Sequence, residues 1–351
     1  MGAALPTKLA KSADGKSAFY LVDVNQKSEE WLDWRSEGIT ASDIPVILGL
    51  SPYKTRYQLW AEKTGRFNSP DISANPNVKR GNRLEDIARQ VAEGRHGQLL
   101  VPSCGEYQHW RPFRASFDGL DDNFKPFEFK APSDAQWEDV KANGKKSAAY
   151  IMYEAQTQAQ AVIAGKDEGV LLFYRETENG PEDMEFPITV TKERKDEIVQ
   201  AAVAFFNLIS TNTPPEKDPE RDVFEPAEGD DLFKWKSYAD QWRDNNSRIK
   251  ALKDQLAELD KDQKAVQKTM ITMMGPFMQA DVGGVKISLF VKQGNVDYKK
   301  FLEDKFPGVD LEPELEGYRK SSRKESRFTR SEDELVNLEI PESLAQRSSY
   351  F

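Results

Sequence analysis

The 351-residue chain contains one cysteine, Cys104, and two histidines, His96 and His109. A single thiol excludes an internal disulfide framework and any four-cysteine zinc or iron–sulfur site. With imidazole equally scarce, a metal acting here has to be held by oxygen, which selects Mg²⁺ or Mn²⁺ over zinc. Both histidines read as surface or packing residues. Long hydrophobic runs are missing as well: no stretch approaches the ~18 apolar residues of a membrane span, and the N-terminus has no apolar segment of secretory length. Gly2 follows Met1, but Pro6 stands where a myristoylation signal needs Ser or Thr. The expectation is a cytoplasmic protein with no membrane partner. An excess of positive charge is lacking too. Lys and Arg number 49 against 59 Asp and Glu, a net charge of −10. Bulk attraction to nucleic acid is therefore excluded, and any DNA contact has to be local, in a basic groove or channel.

What is present suffices for a large core: 38% of residues are hydrophobic and 11% aromatic, in a chain long enough for more than one domain. Residues 1–27 are polar and read as a loosely held arm. Helix and strand signals alternate over 28–210. Residues 211–231, with the run TNTPPEKDPERD, read as a linker. In 232–351, Tyr238, Trp242, Ile249, Leu252, Leu256, Leu259, Val266, Met270 and Met273 keep a 4-3 spacing, interrupted by Asn245 and Gln263. This spacing predicts a long amphipathic helix, either packed on its own domain or in contact with another copy. Gly275-Pro276 ends it. A hairpin around Gly283-Gly284, a short helix over Tyr298 to Lys305 and a basic tail over Arg319 to Arg330 follow.

The most informative stretch is Phe127-Glu128-Phe129-Lys130, with Ser116-Phe117-Asp118-Gly119 upstream. Read with period 2, Phe113, Ala115 and Phe117 share one face of a strand, and Arg114, Ser116 and Asp118 the other. In the next strand Phe127 and Phe129 oppose Glu128 and Lys130. Leu120 to Lys125 is turn chemistry. Folded back as a hairpin, the aromatic rows enter the core and Asp118, Glu128 and Lys130 meet opposite. Two carboxylates suit a hard divalent cation, and a lysine can orient water or offset developing negative charge. A solvated strand face with an ion pair is the plainer alternative.

Three other segments carry candidate chemistry. Gly81 to Glu85 opens a helix with Leu84, Ala88 and Val91 as its buried stripe. Glu85 is then either a first-turn acid favoured by the helix dipole or a third carboxylate for the cluster. Trp31 to Arg35 ends a helix, and Thr40-Ala41-Ser42-Asp43 forms a capping box that starts the next. Its free N–H groups, the Ser42 hydroxyl and Arg35 could bind a terminal phosphate. On a helix closed by Gly165, Tyr153, Gln156 and Gln160 share a face. That face is either a row of contacts to a sugar–phosphate backbone or an ordinary polar exterior.

Taken together, the segments W-x-x-W-R-x-x-G-I-T-A-S-D (31–43), I-L-G-L-S-P-Y (47–53), L-W-A-E-K-T-G (59–65), R-G-N-R-L-E (80–85), F-D-G (117–119), E-F-K (128–130) and Y-E-A-Q-T-Q-A-Q (153–160) resemble the phage lambda exonuclease family. That family comprises the YqaJ-like viral recombinases of the PD-(D/E)xK nuclease superfamily. The resemblance covers roughly residues 28–210 and rests on the order of motifs that are individually weak. Phe117 departs from it, standing where the superfamily pattern has proline. The implied fold is an α/β (α+β) restriction-endonuclease-like core, a central mixed sheet flanked by helices, with an appended, mostly helical C-terminal region. The implied activity is Mg²⁺-dependent 5′→3′ exonuclease action on linear double-stranded DNA, leaving 3′ overhangs for a single-strand annealing protein in phage recombination. Carried over residue by residue, Glu85, Asp118, Glu128 and the Phe129 carbonyl would hold one or two Mg²⁺ ions (Mn²⁺ substituting), and Lys130 would position or activate the attacking water. Arg35, Ser42, Ser116 and Gln156 would bind the 5′-phosphate. The family's ring-shaped trimer implies a DNA channel, for which Lys54, Arg56, Lys79, Arg80 and Gln160 are candidate contacts and Val78 a candidate wedge. The setting implied is the cytoplasm of a bacterial host carrying the phage or prophage. A structure-specific endonuclease of the same fold and a non-catalytic DNA-end-binding scaffold are the alternatives; a Cas4-like branch lacks its cysteines here.

Overall fold

A computed structural model of the chain describes residues 5, 7–11, 17–67, 76–290, 294 and 298–307. The chain divides into two compact units, with the boundary between Phe224 and Glu225, inside the segment read as a linker. In the first unit, strands β1 (Thr7–Lys11) and β2 (Ser17–Val22) precede helix α1 (Glu29–Ser36), the two-residue β3 (Ile39–Thr40), α2 (Ile44–Ile47), α3 (Arg56–Lys63) and α4 (Pro76–His96). Strands β4 (Val101–Tyr107), β5 (Phe113–Leu120) and β6 (Pro126–Lys130) lead to α5 (Asp134–Asn143) and α6 (Ala148–Ile163). Strands β7 (Glu168–Thr177) and β8 (Gly180–Thr189) and helix α7 (Lys192–Ser210) complete the unit. The sheet runs β1-β2-β4-β5-β6-β7-β8, with β3 beside β5. Its pairs are antiparallel except β3 with β5 and β6 with β7. This is the expected α/β architecture, a mixed sheet flanked by helices. Residues of the N-terminal segment read as a loose arm belong to that sheet instead: β2 pairs with β4, and Phe19 is fully buried. The polar flanks of Ser17–Val22 concealed this strand, whose Phe19 packs against Phe117 and Phe124.

Alternation along the strands decides what each helix covers. Phe127 and Phe129 of β6, with Val170 and Leu172 of β7, pack on Leu84, Ala88 and Ala92 of α4. Their neighbours Leu171 and Phe173 face α5 and α6. Phe113, Ala115 and Phe117 of β5 enter a separate cluster with Phe19, Ile44 and Ala159. The two aromatic rows therefore do not share one core, as the hairpin reading implied. The reason is the short β5–β6 ladder: Gly119 pairs with Phe127 and Leu120 with Pro126, after which β6 leaves β5 for a four-residue parallel ladder with β7. The turn between them is held by Asp121 Oδ1, which accepts from the backbone N–H of Asn123 (2.9 Å) and Lys125 (2.8 Å).

The second unit contains α8 (Asp230–Met274), the hairpin β9 (Gln279–Val282) and β10 (Val285–Ser288), and α9 (Tyr298–Lys305). Gly275 caps α8 with φ 56° and the hairpin turns through Gly283 and Gly284 at φ 64° and 77°, conformations that suit glycine. The basic tail, Arg319 to Arg330, lies outside the described residues. No described helix is long and apolar enough to cross a membrane.

Candidate active site

Where β5 and β6 part, the acidic residues gather. Asp118, the last outward residue before the ladder, accepts a hydrogen bond from the Phe129 backbone N–H (3.2 Å), so its carboxylate spans the gap between the strands. Glu128 alternates with Phe127 and Phe129 and lies in register with Leu171, which turns it toward α6 and buries it fully. Both its oxygens are engaged there: Gln156 donates to Oε1 (2.5 Å), Gln160 to Oε2 (2.6 Å), and the Lys130 ammonium lies 2.6 Å from Oε1. Lys130 also lies 3.9 Å from Glu85 and 5.3 Å from the centre of the Tyr153 ring.

Glu85 belongs to the interior of α4, not to its first turn, because the helix begins at Pro76 and runs through Gly81. Proline suits that first position, and one glycine costs the helix too little to interrupt it. A helix-dipole role for Glu85 is thereby removed, and its side chain faces the cluster. Burial, only partly offset by Lys130, raises the Glu85 carboxyl from the usual 4.5 to about 7, with Asp118 adding repulsion. Burial and Asp118 lift Glu128 to about 8. Lys130 moves well above its ordinary value: burial opposes its charge, but Glu128, Glu85 and Asp118 outweigh it. These groups behave as one electrostatic unit.

On the same face, Arg35 is enclosed by neutral partners. Its guanidinium donates to Ser42 Oγ (2.8 Å) and Ser116 Oγ (3.3 Å) and lies 4.7 Å from the Trp31 ring centre. Trp31 Nε1 donates to the same Ser116 hydroxyl (2.7 Å), and Thr40 Oγ1 lies 2.9 Å from Ser42 Oγ. Desolvation lowers the Arg35 pKa, while Asp43, Glu128 and Asp118 act to raise it. The capping box forms as read: the Thr40 N–H donates to Asp43 Oδ2 (2.8 Å), which also meets Lys63 at 3.1 Å. Ser116 stands two residues before Asp118 on β5, so one strand face serves both the hydroxyl pocket and the acidic cluster.

The polar face of α6 is neither an exterior nor a row of DNA contacts. Gln160 is 1% exposed, which excludes it as a direct DNA contact, and Gln156 is bonded to Glu128. Both hold the carboxylate. Lys54 is paired with Glu62 at 2.7 Å; Arg56 and Lys79 are exposed and Arg80 is half-buried. The Val78 side chain lies outside the described residues. His96 packs edge-on against Phe127 and meets Glu185 at 3.0 Å, a structural place. The sequence reading missed Trp31 and Thr40 as members of the hydroxyl pocket, Gln26, which donates to the Ser103 and Phe117 carbonyls, and Lys27, whose charge acts on Glu85. Polar residues in a segment read as loose gave no periodic signal. Trp31 was visible as the first residue of the W-x-x-W-R segment, without a role of its own.

Hard oxygen donors that repel one another fit a divalent cation by their chemistry. Among the described residues, however, no group of three acidic, histidine or cysteine side chains converges into a ligand shell.

Residues 30–167 are similar to the family described as the YqaJ-like viral recombinase domain. The uncharacterised protein YqaJ of Bacillus subtilis (strain 168) is 40% identical over 72 residues, 20% of this chain and 22% of that protein. The matching segment thus spans about a fifth of that relative. Among solved structures, an alkaline exonuclease (LHK-Exo) from Laribacter hongkongensis is 22% identical, covering 53% of this chain and 94% of that one, with a TM-score of 0.44. A phage-related exonuclease from Haemophilus somnus 129PT is 15% identical over 50% of this chain and 96% of its own, with a TM-score of 0.35.

Proposed function

We propose that the chain is a phage-type nuclease, and specifically a metal-dependent 5′→3′ exonuclease that resects linear double-stranded DNA to supply a single-strand annealing partner. One observation carries the reading: a half-buried guanidinium held by two hydroxyls, Arg35 with Ser42 and Ser116, lies beside the strand face that carries a buried carboxylate and lysine cluster. An anion site beside a hydrolytic centre is what an enzyme needs to hold a terminal phosphate while it cuts.

Glu85, Asp118, Glu128 and the Phe129 carbonyl would hold the cation. When bound, an ion of the Mg²⁺ type would polarise the phosphoryl oxygens and acidify a water. Lys130 remains an ammonium through neutral pH, given its raised pKa, so it orients water and offsets negative charge and does not act as the base. Gln156 and Gln160 steady Glu128. Arg35, planar and forked, binds the phosphate terminus with the hydroxyls of Ser42 and Ser116. Arg56, Lys79 and Arg80 remain candidates for backbone contacts, and a ring-shaped trimer would gather them around a channel despite the net charge of −10.

The test compares linear duplexes bearing 5′-phosphate and 5′-hydroxyl ends with Mg²⁺ present. The phosphorylated end is expected to be resected at least ~10-fold faster, as loss of a charge-assisted contact predicts. Arg35→Lys should erase most of that preference. Equal rates for both ends, or resection from the 3′ end, would reject the polarity; cleavage of closed circular DNA would indicate the endonuclease instead.

A further inference from the structure

Outside the nuclease region, α8 carries an apolar seam that the proposed activity leaves unused. Ile249, Leu252, Leu256, Leu259 and Val266 are between 50% and 65% exposed, and the seam from Tyr238 to Met273 spans about 54 Å of helix at 1.5 Å per residue. That is about five heptads, beyond the length at which such a pattern indicates a coiled coil. The seam is broken at two places, Asn245 and Gln263, which lie equally far from Asp254.

From that symmetry we infer that α8 pairs antiparallel with α8 of a second copy of this chain, about a two-fold axis at the level of Asp254. In this register Ile249 faces the partner's Leu259 and Leu252 faces the partner's Leu256. Asn245 meets the partner's Gln263, so each interrupting amide finds a donor and an acceptor in the other. Beside the seam, Arg248 comes opposite the partner's Asp262, twice by symmetry. Arg248 now lies 3.6 Å from Asp244 in an exposed pair, a weak contact that exchanges readily. A parallel pair would set each amide against itself and place Arg248 against Lys253 twice, whereas the antiparallel pair has one like-charge contact, Lys253 beside the partner's Lys253 at the axis, against two Arg248–Asp262 pairs. The occupant is a second copy because the segment is complementary to its own reverse: apolar to apolar, amide to amide, base to acid. An unlike partner would impose no such symmetry.

The experiment uses the full chain and two readouts. By light scattering, a Leu252→Glu, Leu256→Glu double variant should have at most half the mass of the wild type; equal masses overturn the inference. For orientation, Ile249→Cys and Leu259→Cys chains are mixed and oxidised, with the wild type, whose one thiol is buried, as control. A disulfide joining the two different variants is expected, and none between two Ile249→Cys chains. Disulfides between two Ile249→Cys chains would establish the parallel arrangement and overturn the proposal, as would failure of the mixed pair to cross-link. Neither readout depends on nuclease activity.

Discussion

Glu128 shows how much a single carboxylate can be asked to do. It is buried among other acids, and it is tolerable there because two amides and an ammonium claim its oxygens. Lys130→Ala removes the ammonium and should reduce cleavage at least ~10²-fold while circular dichroism stays native; an active, folded variant would reject the assigned centre. The raised carboxyls also fix the sign of a pH effect. Without a cation, Glu85 and Glu128 bind protons more tightly folded than unfolded, at about 7 and about 8 against 4.5. Their contribution to stability is thus complete below the unfolded value and is lost as pH rises through 7 to 8. Thermal unfolding in chelator should show a midpoint that falls between about pH 4.5 and about 8 and levels off above, and Glu128→Gln should flatten the decline. Added Mg²⁺ should restore the midpoint at pH 8 in the wild type more than in the variant.

At the level of elements, the site exists because β6 changes partner. Two residue pairs tie it to β5, and beyond them the parallel ladder with β7 carries Glu128 and Lys130 away from the strand that holds Asp118. Gly119 marks the parting point. A Cβ there would come within 2.9 Å of Leu100 Cβ, an atom tied to the backbone that cannot swing aside. Gly119→Ala should therefore push β5 from the segment after α4 and destabilise the protein by about 1–3 kcal/mol, measured by denaturant unfolding. Because Asp118 is the adjacent residue, the loss of cleavage should exceed what the unfolded fraction explains. Gly38 plays a comparable part, since a Cβ there would collide with the Pro112 carbonyl oxygen.

For the molecule as a whole, the two proposals call for separate means of association, one in the first unit and one along α8. If the first forms the proposed ring, a full-length chain with the α8 seam broken by Leu252→Glu and Leu256→Glu should sediment as a trimer of about 120 kDa, from a chain of 39.9 kDa. A stable monomer would remove the basis for processive resection. The negative net charge makes a second demand: binding to DNA has to depend on few, local contacts, so its salt dependence should be shallow compared with that of a basic protein of this size.

Local pattern made much of this legible. Period-2 alternation put Phe113, Ala115 and Phe117 inside, the capping box at Thr40 to Asp43 formed with both its bonds, and the 4-3 spacing of 238–273 became a helix that ends at Gly275 as its sequence requires. These features depend on neighbours a few residues apart, whose geometry the chain carries in its own backbone and side-chain chemistry. Glu85, Glu128 and Gln156 were legible as residues but not as an arrangement. The turning of Glu128 toward α6, the burial of Gln160 and the enclosure of Arg35 by Trp31, Ser42 and Ser116 join segments far apart in sequence, and so does the use of Ser17–Val22 as a strand within the main sheet. Such contacts follow from which strands pair and which helix covers them, and packing across the whole core decides that, because no short segment stores the identity of its distant neighbour.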